Sequence, residues 1–253
     1  MNRILTLILT GLLLVPFISR GQSNVKDSSL MIPMLHVSYA YMLPGADMAD
    51  RFGGNSSIGG GVNLKFKKNW LIGADFNYLF GNKVKGADSL FSSIETEDGF
   101  IINRDGELDA PLVFERGYYI SLRFGKLFPI WSPNKNSGPF VMASAGYFQH
   151  KIRIENANNT IPQVTGDYKK GYDKLSSGIG ISEFIGYMYF GNSRFVSFYG
   201  GFEFTQAFTR SRRTYDFNLR GYDATKRLDV LYAVKIGWII PFYKKVPTGY
   251  YYD

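Results

Sequence analysis

Two histidines, His36 and His150, are the whole imidazole supply of this 253-residue chain, and it has no cysteine. Nucleophilic catalysis needs a histidine within hydrogen-bond reach of a serine or thiol. His150 is followed by Lys151 and Ile152 with no serine beside it, so only the next strand could bring Ser176 or Ser177 to it. His36 lies more than a hundred residues away, too far in sequence for a recognisable zinc pair. Without thiols there is no disulfide and no thiolate metal centre. The expectation is no catalytic residue, no metal and no cofactor, with His150 a rim residue bonded locally.

The remaining chemistry is charge. Lys65, Asp75, Arg123, Glu203 and Lys235 each stand among apolar and small neighbours. Residues 82–117 hold eight acidic groups against four basic ones, without the regular Asp-x-Asp-x-Asp-Gly spacing that would suggest calcium. Residues 209–227 reverse the sign, with Arg210, Arg212, Arg213, Arg220, Lys226 and Arg227 against Asp216 and Asp223. Arginines clamp phosphates in bidentate fashion, so Arg210, Arg212, Arg213 and Arg220 are candidates for contact with lipopolysaccharide or a partner. The competing expectation is that this basic loop folds against the acidic one as a cap.

These residues are positioned by eight runs with apolar side chains at every second place: 36–43, 58–66, 70–81, 118–127, 140–154, 178–190, 195–208 and 228–242. In 70–81, Trp70, Ile72, Ala74, Phe76, Tyr78 and Phe80 share one parity, opposite Gly73, Asp75 and Asn77. Alternating side chains point to opposite faces of a strand, which gives one greasy face and one small or polar face. Eight such strands with polar groups on the inner parity predict an all-β fold, an antiparallel transmembrane β-barrel. The run 140–154 is apolar on both parities, which leaves its lipid face open. Glu183 falls on the greasy parity of 178–190, where a bulge or a rim position is expected to spare it the lipid.

The connections alternate short (67–69, 132–138, 191–194) and long (44–57, 82–117, 155–177, 209–227), as periplasmic turns and outer loops do. An even strand number puts both termini on the periplasmic side. Asp105-Gly106 after the apolar Phe100-Ile101-Ile102 predicts a small hairpin standing above the membrane, the alternative being a spanning pair that would make ten strands. Gly171-Tyr172-Asp173 and Gly221-Tyr222-Asp223 read as a turn glycine followed by an interface tyrosine. Arg3, the apolar stretch 4–18 and the small residues before Gln22 have the layout of a cleaved signal peptide, residues 1–21, ahead of a barrel domain over 22–253. About 15 apolar residues fall short of the roughly 20 that a spanning helix needs. Without that leader the chain carries 27 basic and 21 acidic residues, with no continuous basic stripe. An exported chain so arranged meets anionic envelope surroundings rather than nucleic acid.

On these features the chain resembles the small eight-stranded bacterial outer-membrane β-barrel proteins, and looks like a Bacteroidota member. The resemblance rests on the leader ending at Gly21-Gln22, the eight alternating strands and the aromatic close of the last strand at Trp238 to Phe242. It departs from the family where residues 243–253 continue past Phe242. It implies insertion by the barrel-assembly machinery and contact with outer-membrane lipid, lipopolysaccharide and other envelope proteins. An eight-stranded barrel is only wide enough for its own side chains. The five inward charges are therefore expected to pair and plug the lumen, Lys65 with Asp75 across their shared turn. The function so implied is that of a non-enzymatic barrel working through its loops or outer wall. It would serve as an accessory subunit of a secretion or assembly complex, or as an envelope-stabilising protein. The alternative is a narrow, porin-like conduit or a lipid A-modifying enzyme, although the His-x-Ser arrangement of barrel deacylases is absent.

Overall fold

The computed structural model describes residues 29–156, 159–191 and 196–242; the expected leader 1–21, the tail 243–253 and most of the turn 191–194 lie outside them. The chain runs through β1 (Ile32–Gly45), a short helix α1 (Ala46–Arg51), β2 (Asn55–Lys65), β3 (Trp70–Gly81), a one-turn helix α2 (Ala87–Leu90), β4 (Ile101–Ile102) and β5 (Leu108–Asp109). It continues through β6 (Leu112–Leu127), β7 (Gly138–Glu155), β8 (Ser176–Phe190), β9 (Ser197–Ser211) and β10 (Lys226–Pro241). All of these strands except β4 and β5 form one closed antiparallel barrel of eight, each paired with its neighbours in the chain and β1 closing on β10. The small β4–β5 pair is the expected hairpin, turned at Gly106, whose φ of 81° suits a residue without Cβ.

One row of partners runs Tyr39, Ile58, Tyr78, Tyr118, Gln149, Ser177, Arg210 and Lys226. Gly45 faces Val230, so Lys226 would face position 49, ten beyond Tyr39. A shear of that size tilts the strands by about 40° and holds the lumen to the width of packed side chains. The tight turn before β3 works because Asn69 takes φ 63°, a conformation asparagine tolerates, while Phe66 donates its N–H to the Trp70 carbonyl at 2.8 Å.

Most strands are longer at the loop end than the alternation suggests; β6 begins at Leu112 instead of 118, and β9 runs on to Ser211. Strands of about 15 residues at this tilt exceed an apolar band of about 25 Å. Where they emerge from it, polar residues occupy both faces and the greasy parity disappears. β7 resolves clearly: Val141, Ala143, Ala145 and Tyr147 face out, while Phe140, Met142, Phe148 and His150 are buried within. Its two faces look alike in sequence because the lumen is itself apolar at both ends. At the turn end Ile32, Leu71, Leu127, Phe140 and Phe190 pack together. At the loop end Met48, Phe52, Phe91, Ile101, Val164 and Tyr172 form a dome beneath the loops.

Tyr172 is therefore buried against Phe217 (ring centroids 4.8 Å apart) and not at a lipid interface, whereas Tyr222 is exposed. Glu183 corrects the expectation of a bulge or rim position. The register of β8 is unbroken on both sides, and Glu183 is the central residue of its fifteen, exposed on the outer wall between Ala143 and Phe204. A carboxylate on the lipid face is a net cost near mid-depth. Glu183→Leu is expected to raise the unfolding free energy in lipid vesicles by about 1–2 kcal/mol, read from urea titration.

Candidate functional site

The middle of the lumen is built around Asp75. Its position on β3 points inward, and its Oδ2 accepts a 2.5 Å hydrogen bond from Arg123 Nη1 on β6. His36 of β1 brings Nε2 to 3.2 Å from the other carboxylate oxygen, and its Nδ1 lies 2.9 Å from Asn63 Nδ2. Gly61 makes room for this trio, since a Cβ there would lie 2.4 Å from Asp75 Oδ1. Across the lumen Lys235 Nζ of β10 meets Glu203 Oε2 of β9 at 3.1 Å. Tyr119, Ser144 and Ser182 continue the layer with hydroxyl contacts of 3.1 and 2.6 Å. Asp75, Arg123 and Lys235 are all buried, and each ionic group has an opposite charge in contact.

Lys65 does not join them. Its ammonium donates to Asn136 Oδ1 (2.9 Å), Ser29 Oγ (3.2 Å) and the Leu30 carbonyl (3.3 Å) at the turn end. Register is the reason: Lys65 faces Leu71 and Asp75 faces Gly61, four rungs or about 13 Å apart along the strand. Of the five expected lumen charges, four form two salt bridges and the fifth is held by neutral oxygens.

A second cluster closes the loop end. Asp229 of β10 accepts from His150 Nε2 (2.9 Å), Thr209 Oγ1 (2.5 Å) and Arg51 Nη2 (2.5 Å). Arg51 arrives from α1, which is docked by Asp47 accepting the Leu228 N–H at 2.7 Å. His150 is thus no rim residue; it is fully buried and bonded across the barrel, because its parity on β7 is inward. Ser176 does face His150 in register, but its hydroxyl donates to the Lys174 carbonyl at 3.1 Å, and both residues are closed off from solvent. Inward parity could have flagged Asp229 and His150. Arg51 carried no signal, because a loop residue has no parity. Glu115, also buried, accepts two hydrogen bonds from Asn55. Among the described residues no three His, Asp or Glu side chains converge as cation ligands.

The four candidate arginines part company. Arg213 grips Asp173 with two nitrogens, and Lys174 reaches Asp216 at 2.7 Å. The last loop therefore folds against the third long loop, and it meets the acidic loop where the Asn218 side-chain amide donates to the Ser89 carbonyl at 2.9 Å. Arg212 Nε is spent on Ser177 Oγ at 2.7 Å. Arg210 and Arg220 are exposed, Arg210 on the outer wall of β9 and Arg220 in the loop. Asp223 is buried. Burial pushes its carboxyl up, and hydrogen bonds from Arg227 and Thr225 more than offset this, leaving it below the usual carboxylate range.

Two outcomes are expected. Arg123→Met strands Asp75 in the lumen and should destabilise the barrel by about 3–5 kcal/mol in urea titration, with Asp75→Asn in the same chain recovering part of the loss. Asp223 is lower in the folded loop than in the free chain, so its contribution is full above the free-chain value and lost as pH falls through the folded one. The Thr225 amide, which donates to Asp223 Oδ1 at 3.0 Å, should keep its hydrogen-exchange protection from neutral pH down through the free-carboxyl range and lose it only at lower pH, after correction for intrinsic rates.

No family model and no curated protein matches the chain. Solved structures similar to it include Neisserial surface protein A, at 10% identity over 83% of this chain and 97% of that one, with a TM-score of 0.43. Ail, the attachment invasion locus protein of Yersinia pestis, matches at 9% over 83% and 98%, with a TM-score of 0.41. The N-terminal barrel domain of Pseudomonas aeruginosa OprF matches at 10% over 83% and 99%, with a TM-score of 0.37. At such identities nothing about binding or activity passes from these proteins to this chain. The eight-stranded barrel stands on the chain's own closed register.

Proposed function

We propose that this protein is a closed, non-enzymatic outer-membrane barrel that acts through its wall and loops, as an accessory subunit of an envelope complex or as an envelope-stabilising protein. The observation that carries the reading is the stacking within the lumen. An apolar layer at the turn end, two salt bridges at mid-height and an Asp229-centred cluster under an apolar dome follow one another. Opening a path would separate buried ion pairs, each costing several kcal/mol when one charge is left alone. The membrane placement is supported by an outer wall of Val37, Val62, Leu122, Ile185, Phe202 and Ile236, all exposed in the isolated chain.

Glu183 favours the subunit form of this reading. Among the described residues none gives its carboxylate a hydrogen bond or an ion pair, and it faces outward at the centre of its strand. An ionisable group so placed marks a contact within the membrane, with a donor or cation supplied from outside the chain. Planar-bilayer recording of the purified protein should show no discrete conductance. A defined conductance that Lys235→Glu abolishes would refute the closed lumen. Pull-down in mild detergent should recover an envelope partner whose yield falls with Glu183→Leu; recovery of the barrel alone would count against the subunit role.

A further inference from the structure

Cations at the loop end divide by whether a carboxylate lies within reach. Those directed into the barrel or between loops have carboxylates: Arg51 has Asp229, Lys174 has Asp216, Arg213 has Asp173 and Arg227 has Asp223. Outward Arg153 pairs with Glu155 on its own strand, whereas four other outward cations have none among the described residues. Arg116 on β6 faces Lys151 on β7, and Arg210 on β9 faces Lys226 on β10, each directly across a strand pair. Arg116 is steadied by neutral groups only, donating to the Glu115 carbonyl at 2.7 Å and lying over the Phe114 ring at 5.0 Å. Like charges directly opposite each other destabilise a sheet. The sequence places two such pairs on one barrel, although it supplies carboxylates to Arg51, Lys174, Arg213 and Arg227 at the same end.

The two pairs share a level and are centred three strands apart round the wall. β1, β2 and β3 present Leu43, Ser56 and Phe80 outward at the corresponding height, with no cation. The Arg210–Lys226 rung lies on the row of Tyr118 and Gln149, two residues toward the turn end from Arg116 and Lys151. Rows climb toward the loop end by about 3 Å per strand at this tilt, so the two pairs end within about 4 Å of one level. Three strand spacings separate them, about 14 Å. Directly below stand apolar and aromatic side chains, with Tyr118 two residues from Arg116, Phe208 two from Arg210 and Leu228 two from Lys226. The surface thus offers two anion sites over a greasy wall.

We propose that Arg116 with Lys151 and Arg210 with Lys226 are paired seats for the two phosphates of a bis-phosphorylated glycolipid, the lipid A portion of lipopolysaccharide, whose acyl chains lie down the wall beneath. The assignment rests on the reading of this face as the outer leaflet. A phosphate between two opposed cations turns their repulsion into two charge-assisted contacts. A two-phosphate head group also suits two seats better than a phospholipid with a single phosphate. Arg213, which the basic character of its loop suggests for this role, is excluded by its grip on Asp173.

The test uses the full mature barrel refolded in zwitterionic micelles, with lipid A binding read by native mass spectrometry and by the melting temperature. The wild type should bind one bis-phosphorylated lipid A and melt higher. The variant Arg116→Gln, Lys151→Gln, Arg210→Gln, Lys226→Gln should bind about tenfold more weakly or worse. Without lipid that variant should be at least as stable as the wild type, because opposed charges have been removed. Equal lipid A binding by variant and wild type would overturn the proposal, as would equal affinity for phosphatidylglycerol or full competition by millimolar inorganic phosphate. Bilayer recording separates this from the lumen reading: a conducting barrel that still binds lipid A through these residues refutes closure and leaves the seats standing.

Discussion

Eight strands with a shear of ten leave a lumen little wider than their own side chains, and every ionic group on the inner parity must find polar partners or a counter-charge within reach. That constraint accounts for the polar architecture. Asp75 requires Arg123 and His36; Glu203 requires Lys235. Asp229 sits where no strand supplies an arginine, and the chain meets the need by folding α1 inward so that Arg51 reaches it. The helix is thus held in the barrel mouth by the electrostatics of the wall it covers. Its burial of Met48 and Phe52 then begins the dome that the other loops complete.

The same parity divides structure from interaction. An inward cation that has a carboxylate is committed to it, because separating a buried pair leaves an uncompensated charge. An outward cation above the apolar band remains in contact with solvent or head groups, and its choice of partner is open. Arg213 and Arg210 are three residues apart on one basic segment, yet the first ties two loops together and the second faces outward beside Lys226. Residue type alone does not separate them. Position relative to the end of β9 does.

Period-two alternation made the strands, the barrel and most of the inner and outer faces legible, because lipid on one side and a packed lumen on the other enforce it residue by residue. Three things were not legible. Register is set by hydrogen-bonded closure around the whole barrel, so Lys65 and Asp75, joined through one turn, sit four rungs apart. Loop residues have no parity, which hid Arg51. Strand ends outlast the lipid band, so Arg116 reads as loop in sequence while in the barrel it stands opposite Lys151. The same overrun hid both outward cation pairs, since Arg210 and Lys226 also fall in the loop 209–227 by alternation alone.

Glu183 shows what the alternation means once its exceptions are weighed. Its neighbours on the wall are Ala143, Phe204, Ile181 and Ile185, a surface suited to lipid tails in every respect except the carboxylate. A bulge would have turned it inward at small cost, and the lumen nearby already accommodates Glu203, on the strand beside it, with a lysine. The register instead runs straight through it. The strand therefore holds an ionisable group against lipid where simple alternatives exist, and the small side chains of Ala143 and Ala145 leave the adjoining wall low enough for another backbone to approach. On the proposed subunit role, the wall of this barrel both dissolves in the membrane and, at one point, is recognised within it.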